Sequence, residues 1–260
     1  MSEENRKAIR ISVRNLVEFV LRSGDIDNRC SGNAQKDAML AGGRIHRKTQ
    51  KRMGAGYRAE VPLKHEVQDE EQEITLLVEG RADGIFAENG IPVIDEIKGM
   101  YTDISRLEEP IEVHLAQAMC YGYFYCCDKD LDGIRLQMTY CNLETEEIKR
   151  FQTDRSREEL ETWFSGVVHE YFKWARYLYH HELIRDASIG HLEFPFPYRA
   201  GQRDLVVSVY RTVSRKKRLF IQAPTGIGKT LSTVFPAVRA IGEGKGDKLF
   251  YLTAKTVTRT

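Results

Sequence analysis

Residues 79–98 read EGRADGIFAENGIPVIDEIK, and this stretch decides the fold of the first two-thirds of the chain. Two apolar segments flank Asn89-Gly90, a dipeptide that is strongly preferred in two-residue hairpin turns. With that turn, counting outward along both segments places Asp83 directly opposite Glu96. The stretch therefore predicts a β-hairpin in which two carboxylates face each other.

The same register gathers charged side chains on one face of the hairpin. It places Arg81 opposite Lys98, and facing residues project from the same side of a sheet. The carboxylates of Asp83 and Glu96 would repel each other unless a divalent cation binds between them, and oxygen ligands of this kind suit Mg²⁺ or Mn²⁺. Lys98 could then orient a water molecule or stabilise charge that develops on a phosphate. A solvated hairpin with alternating charges is the simpler alternative, but it explains this convergence less well.

These residues resemble the motifs of a known nuclease superfamily. Asp83 with Glu96-Ile97-Lys98 resembles the Asp…(Asp/Glu)-x-Lys core of the PD-(D/E)xK nucleases. Two further segments are similar to motifs of its RecB-like branch: GRIH at 43–46 resembles the Gly-x-x-His motif, and QAMCY at 117–121 resembles the Gln-x-x-x-Tyr motif. On a helix, His114 would share one face with Gln117 and Tyr121.

The resemblance implies an α/β, restriction-endonuclease-like fold, in which helices flank a mixed central sheet, and a metal-dependent nuclease activity. In that family the ion would be held by His46, Asp83 and Glu96. Lys98 would assist the attacking water, and Gln117 and Tyr121 would position the substrate or the lysine. The implied catalytic set is Asp83, Glu96, Lys98, Gln117 and Tyr121. Taken singly, His46 could be an ordinary packing histidine and Tyr121 plain core.

A second motif, APTGIGKT at residues 223–230, has the pattern of a phosphate-binding loop. It lies between an apolar segment, 219–222, which predicts a strand, and a helical stretch that starts near Lys229. Its glycines let the backbone approach phosphates, Lys229 would reach the β- and γ-phosphates, and the Thr230 hydroxyl would bind Mg²⁺. The loop residues predicted to bind ATP are Thr225, Gly226, Gly228, Lys229 and Thr230.

Residues 194–260 resemble the beginning of a superfamily 2 DNA helicase of the DinG/XPD type. FPFPYRAGQ at 194–202 resembles the Q-motif region, in which Gln202 would read the adenine, and LFYLTAKT at 249–256 resembles motif Ia, which contacts the DNA backbone in that family. The Asp-Glu-x-His box and the second RecA-like lobe have no counterpart in the sequence, and an ATPase needs both. We therefore expect ATP binding here, with hydrolysis and unwinding only in a longer parent chain.

Bulk composition is that of an ordinary globular protein, with 42% hydrophobic and 30% charged residues. The 39 Lys and Arg residues nearly balance the 38 Asp and Glu residues, so any basic surface must be local. No apolar run approaches the length that spans a bilayer, which leads us to expect a cytoplasmic protein without a membrane partner. The five cysteines form no Cys-x-x-Cys pair, so we expect reduced, structural thiols and no iron–sulfur cluster in this segment.

Patterning along the chain predicts alternating helices and strands. Ser12 should cap a helix to about Arg22, and Ser156 with Glu159 should form a capping box for a helix to about His181. The other predicted helices are at 33–52, 109–127 and 201–213. The other predicted strands are at 57–63, 74–86, 91–98 and 249–253, with a hairpin at 133–151 and a Pro-containing connection at 190–201.

We interpret the chain as a RecB-like nuclease domain, residues 1–189, followed by the incomplete RecA-like ATP-binding lobe of a helicase, residues 190–260. The predicted function is DNA repair or processing, in which the first domain hydrolyses single-stranded or branched DNA. The alternative is a non-catalytic DNA-binding or regulatory module attached to a DinG-like helicase. A small-molecule kinase is disfavoured because only 30 residues follow the phosphate loop.

Overall fold

The computed structural model describes residues 7–24, 32–69, 71 and 73–253. The chain divides into two compact units, Met1–Arg176 and Tyr177–Thr260. This division falls inside a helix, whereas the sequence placed the domain boundary at 189/190, and that assignment stays a prediction. Cys30 and residues 254–256 of the predicted motif Ia lie outside the described part of the chain.

The described residues form six strands and six α-helices. In chain order these are β1 (Lys7–Ser12), α1 (Val13–Val20), α2 (Gly32–Arg52), β2 (Arg58–Gln68), β3 (Ile74–Glu88), β4 (Ile91–Met100), α3 (Glu112–Lys129), β5 (Gly133–Asn142), β6 (Ile148–Ser156), α4 (Arg157–Gly190), α5 (Gln202–Ser214) and α6 (Lys229–Gly242). A short 3₁₀ helix, Ile104–Arg106, lies between β4 and α3. No helix in the described ranges is long and apolar enough to cross a bilayer.

All six strands belong to one mixed sheet in the first unit. Its order is β1-β3-β4-β5-β6, and β2 also pairs with β3. The pairs β1–β3 and β4–β5 are parallel, whereas β2–β3, β3–β4 and β5–β6 are antiparallel. A mixed α/β architecture with a central sheet flanked by helices was predicted from the sequence and is confirmed.

Strand β4 runs through the middle of this unit and is covered on both faces. Five consecutive residues, 93–97, are buried, which is typical of a strand between two layers. Ile97 packs with Ile45 of α2, whereas Lys98 hydrogen-bonds Gln117 of α3. Because neighbouring residues on a strand point to opposite faces, α2 and α3 lie on opposite sides of the sheet at this point.

The predicted hairpin register is confirmed close to the turn and fails farther out. Residues 84–88 pair with residues 91–95 as expected, but the paired register ends at Gly84 and Asp95. Arg81 is not opposite Lys98; it is exposed and pairs with Pro62 of β2. The physical reason is that β1 occupies the same edge of β3 along 74–79, so β4 leaves β3 beyond Asp95.

Both predicted helix caps in the first unit are confirmed. The Ser12 hydroxyl accepts the N–H of Asn15 at 3.1 Å. Ser156 and Glu159 form the reciprocal bonds of a capping box, at 3.1 and 2.8 Å. Helix α4 runs on to Gly190 rather than ending near His181, and residues 191–201 connect it to α5, close to the predicted connection at 190–201.

Two predicted strands of the second unit are not formed, and one strand of the first unit was missed. Segments 219–222 and 249–253 have no ladder within the described residues, and Phe220 is 94% exposed. An extended apolar segment becomes a strand only when a neighbouring strand satisfies its backbone groups. Strand β1 was not predicted, because the charged residues around it obscure its alternation of apolar and polar residues. It is defined by its parallel pairing with β3.

Candidate active site

The candidate site lies where β3 and β4 separate, and Asp83 marks that point. Its carboxylate Oδ2 accepts the backbone N–H of Ile97 at 2.7 Å. A side chain thereby takes the place of a main-chain carbonyl at the end of the ladder. The Asp83 side chain is 14% exposed, and its other oxygen, Oδ1, faces His46.

Glu96 is the most buried acid of the site, with a side chain 5% exposed. One oxygen, Oε1, accepts a hydrogen bond from Lys98 Nζ at 2.7 Å. The other, Oε2, is buried and has no hydrogen-bond partner among the described residues. Burial, followed by the negative charge of Asp83, raises the pKa of Glu96 to about 7, although Lys98 acts in the opposite direction. An unsatisfied buried carboxylate oxygen is costly, and it indicates a position where another group could bind.

Lys98 links strand β4 to helix α3. Its ammonium donates to Glu96 Oε1 at 2.7 Å and to Gln117 Oε1 at 2.9 Å. The Gln117 side chain is buried, and its amide nitrogen lies 3.5 Å from the carbonyl oxygen of Val113. Two motifs that are separate in sequence, Glu-Ile-Lys and Gln-x-x-x-Tyr, are thus joined by a direct hydrogen bond.

Helix α2 places His46 beside the Asp83 carboxylate. His46 Nδ1 lies 3.4 Å from Asp83 Oδ1. Burial lowers the pKa of His46, but the hydrogen bond and negative charge of Asp83 outweigh that effect, so the pKa is raised above its ordinary value. One turn farther along α2, Gln50 Nε2 donates to the Asp83 carbonyl oxygen at 2.9 Å. Gln50 was not predicted as a site residue, although its i, i+4 spacing from His46 was available in the sequence.

Tyr121 is brought against β3 rather than into a hydrogen bond with Lys98. A β-carbon at Gly80 would lie 2.5 Å from the Tyr121 hydroxyl oxygen, so only glycine fits at that position without a shift. Burial raises the pKa of Tyr121, and the charges of Glu96 and Asp83 act in the same direction. His114, expected on the same helix face, lies 3.4 Å from the Tyr140 hydroxyl through Nδ1. Burial, followed by the charge of Lys98, lowers the pKa of His114 to about 4.

A second carboxylate network lies on the reverse face of β4 and was missed in the sequence. Asp95 is fully buried and accepts three hydrogen bonds, from Tyr57, Gln137 and Thr139, at 2.8, 3.0 and 2.6 Å. Burial raises the pKa of Asp95, although these bonds lower it. The network anchors the residue next to Glu96. In the sequence, the sign of this network was the acidic pair Asp95-Glu96 within an otherwise apolar strand.

The donor atoms of the candidate site suit a hard divalent cation, but they are not assembled around one point. Carboxylate oxygens and an imidazole nitrogen are the ligands that Mg²⁺ and Mn²⁺ accept. Across residues 7–24, 32–69, 71 and 73–253, no group of three or more His, Cys, Asp or Glu side chains has the arrangement of a metal site. The buried, unpaired Glu96 Oε2 is the observation that fits an additional positive group.

In the second unit, the predicted phosphate loop leads directly into α6, as expected. Gly226 and Gly228 have positive φ values of 90° and 81°, which favour glycine. Lys229 Nζ is folded back onto the loop and donates to the carbonyl oxygens of Ala223 and Pro224, at 2.8 and 3.2 Å. Gln202 is buried, and a β-carbon at Gly228 would lie 2.7 Å from its Nε2.

The other loop residues predicted to bind ATP are exposed. Thr225 and Thr230 both reach solvent, and Thr230 Oγ1 accepts a hydrogen bond from the Tyr251 hydroxyl at 3.3 Å. The structure therefore places the predicted nucleotide-binding residues along one loop and the start of one helix, with Gln202 packed against them.

Comparison with known proteins gives one partial sequence similarity. Over 52 residues the chain is 36% identical to MJ0942 of Methanocaldococcus jannaschii, which is described as a probable ATP-dependent helicase. The match covers 19% of this chain and 8% of that protein, so the chain spans only a small part of its relative. No family model matches the sequence. Part of the chain is therefore similar to part of a probable ATP-dependent helicase.

Comparison with solved structures gives a weak likeness to the crystal structure of SSO0001. It has a TM-score of 0.40 and 17% sequence identity, and it covers 65% of this chain and 78% of that one. At this level of similarity the neighbour carries no argument about fold or function.

Proposed function

We propose that the first unit is a metal-dependent nuclease that hydrolyses phosphodiester bonds in DNA. The observation that supports it best is the arrangement around Lys98. Its ammonium is held between Glu96 and Gln117, and the second oxygen of Glu96 is buried without a partner. A structural ion pair would satisfy both carboxylate oxygens, because leaving one buried and unpaired costs roughly 1–3 kcal/mol.

Lys98 is suited to act on a water molecule or a phosphate oxygen. An ammonium group has three N–H donors, and Glu96 and Gln117 take two of them. Within the described part of the chain the third has no acceptor, and it would serve a ligand between β3 and β4. There Lys98 would orient the attacking water or stabilise the negative charge that develops as the phosphodiester is attacked. Gln117 keeps the lysine in place from the α3 side.

His46, Asp83 and Glu96 are the residues that would hold Mg²⁺ or Mn²⁺. The His46–Asp83 contact and the unpaired Glu96 oxygen support this set. When bound, the ion would supply Lewis-acid polarisation of the scissile phosphate. Asp83 also accepts the Ile97 N–H, so its orientation is set by the sheet before any ligand binds. Tyr121, packed over Gly80, would define the wall of the opening on the β3 side.

The experiment is cleavage of labelled single-stranded and branched DNA in the presence of Mn²⁺. Glu96→Gln and Lys98→Met remove charges while keeping size, and both should abolish cleavage. Glu88→Gln is the matched control, because Glu88 is an acid of the same hairpin that pairs with Arg135. Cleavage that survives both site substitutions would contradict the nuclease proposal.

A non-catalytic DNA-binding or regulatory module is the second candidate for this unit. It is favoured by the lack of a preassembled three-residue metal site within the described ranges. It predicts that DNA binds and remains intact with Mn²⁺, and that Glu96→Gln leaves affinity unchanged. The same cleavage assay, read beside a binding assay, separates the two candidates.

We further propose that the second unit binds ATP as the first part of a helicase motor. The phosphate loop at the start of α6 and the partial similarity to an ATP-dependent helicase support this role. Unwinding of DNA would belong to a longer parent protein, which would carry the remaining motor elements.

A further inference from the structure

The face of α3 that carries Gln117 also carries a histidine with no role in the proposed reaction. His114 lies one helical turn before Gln117, so the two side chains share a helix face. Gln117 accepts a hydrogen bond from Lys98 of β4. His114 instead contacts Tyr140 of β5: its Nδ1 lies 3.4 Å from the hydroxyl oxygen, and the two ring centroids are 5.9 Å apart.

Lys98 and Tyr140 are direct neighbours in the sheet. Strands β4 and β5 are parallel, and residue 98 is in register with residue 140. Residues paired in this way project from the same side of a sheet, which here is the side covered by α3. Two side chains of the sheet and two of the helix therefore form one group. His114 belongs to the surroundings of Lys98 and approaches it from the β5 side.

The hydrogen bonds of Tyr140 decide which nitrogen of His114 carries the proton. The Tyr140 hydroxyl oxygen accepts the backbone N–H of Ile111 at 2.9 Å. Because Tyr140 is fully buried, its own hydroxyl proton requires an acceptor, and within the described ranges His114 Nδ1 is the acceptor in contact with it. In the neutral imidazole the proton then lies on Nε2.

The Nε2–H group of His114 is a donor that remains accessible. It makes no hydrogen bond to a residue of the described ranges, and it is not one of the buried polar atoms without a partner there, so it reaches solvent. Lys98 also keeps one N–H without an acceptor in the described part of the chain, and its side chain is 21% exposed. Two neighbouring donors of this kind are suited to the oxygens of an anion.

The surroundings of His114 keep its ring neutral. Burial, followed by the charge of Lys98, lowers its pKa to about 4. The other charged groups that act on it, Arg14 and Glu18 of α1, have opposite signs and form an ion pair with each other. A neutral imidazole can donate a hydrogen bond beside Lys98 without adding the repulsion between two cations.

We propose that His114 contacts the substrate of the nuclease, and that its Nε2–H donates to a non-bridging oxygen of the phosphodiester that Lys98 also contacts. This inference rests on the proposed nuclease function, which it deepens by naming a further residue that binds the reacting group. Tyr140 is then a positioning residue, because it holds the ring in the tautomer that donates. A purely structural histidine would account for the Tyr140 contact but not for an accessible donor beside Lys98.

The first test uses the wild-type chain and needs no cleavage. Long-range ¹H–¹⁵N NMR spectra, recorded at neutral pH in EDTA, report the tautomer of each histidine, and His114→Asn identifies the His114 signals. His114 should be the neutral Nε2–H tautomer. Adding a short oligothymidine should shift its Nε2 resonance, whereas the resonances of His169, an exposed histidine of α4, should stay in place. A proton on Nδ1, or an Nε2 resonance that does not move, would overturn the inference.

The second test separates contact with substrate from a structural role. His114→Asn keeps an acceptor for Tyr140 but lacks a donor at the Nε2 position, whereas the amide of His114→Gln reaches that position. In the Mn²⁺-dependent cleavage assay, kcat/KM should fall by about 10- to 100-fold in His114→Asn, as expected for the loss of one hydrogen bond to a charged group. His114→Gln should recover most of it, and His169→Asn is the matched control. A structural role predicts the reverse order.

The two proposals fail in different ways. Cleavage that requires Glu96 but is unchanged in His114→Asn would overturn the role of His114 and leave the nuclease proposal standing. Cleavage that requires neither Glu96 nor Lys98 would contradict the nuclease proposal. In that case the oligothymidine titration of the wild-type chain decides whether His114 binds a phosphodiester. The same titration decides the matter if His114→Asn does not fold.

Discussion

The Asp83 carboxylate accepts the backbone N–H of Ile97 at 2.7 Å, at the point where β3 and β4 separate. The same side chain faces His46 through its other oxygen. One residue thus completes the hydrogen bonding of the sheet and contributes to the candidate site. Structural and functional contributions of Asp83 can be separated by substitution.

Replacing Asp83 with alanine should lower the free energy of unfolding by about 1–3 kcal/mol, because the Ile97 N–H loses its acceptor. Asp83→Asn retains an acceptor oxygen and should recover most of that stability. Both variants should lack Mn²⁺-dependent cleavage, since neither carries the carboxylate charge. Urea unfolding and the cleavage assay provide the two measurements. Equal destabilisation by alanine and asparagine would show that the Ile97 bond does not stabilise the fold.

Replacing Gly80 with alanine should destabilise the first unit by about 1–3 kcal/mol, because the new methyl group would meet the Tyr121 hydroxyl oxygen at 2.5 Å. In a Tyr121→Phe background the same substitution should cost less, since that oxygen is gone. The measurement is a double-mutant cycle by urea unfolding. A coupling energy near zero would mean that Tyr121 does not pack over Gly80 in solution.

The contribution of His114 to stability should fall as the pH drops from about 7 towards 4. Its pKa is about 4 in the fold, below its ordinary value of 6.5, so in this range the unfolded chain binds a proton that the folded chain does not. The stability that neutral His114 provides is present above pH 6.5 and is lost as the pH falls towards 4. His114→Gln should reduce the loss by about 3 kcal/mol.

Comparing wild type with His114→Gln at each pH removes the contributions of the other titrating groups. Burial also lowers the pKa of His65, but His65 is present in both proteins and its contribution cancels. The quantity to measure is the difference in unfolding free energy between wild type and variant at each pH. A difference that does not change between pH 7 and pH 4 would show that His114 does not titrate as stated.

Lys229→Ala should abolish binding of a fluorescent ATP analogue, because the ammonium that would neutralise the β- and γ-phosphates is removed. Within the described ranges the Lys229 ammonium donates to two carbonyl oxygens of its own loop, those of Ala223 and Pro224, so the fold should be little affected. Lys245→Ala, a change outside the loop, is the control. Retained nucleotide affinity in Lys229→Ala would contradict the assignment of the loop.

The hairpin shows how much of a strand register short-range sequence patterns can predict. Asn89 and Gly90 have positive φ values of 52° and 83°, and the register next to them is the predicted one. The extension to Arg81 and Lys98 failed because it assumed that the ladder continues. Whether it continues depends on β1, which pairs with the same edge of β3 from more than 60 residues earlier in the chain.

The sequence by itself determined the features whose causes lie within a few residues. These are the Asn-Gly turn, the Ser12 and Ser156 caps, and the helix that follows the phosphate loop, each set by local backbone preference and nearby hydrogen bonds.

Only the tertiary structure decided which residues meet at the candidate site and in the Asp95 network on the reverse face of β4. Gln50 reaches Asp83 across 33 positions, Tyr57 reaches Asp95 across 38, and Thr139 reaches Asp95 across 44. No local propensity encodes such pairs, because they form only when helix and sheet pack together and a buried polar group requires a partner.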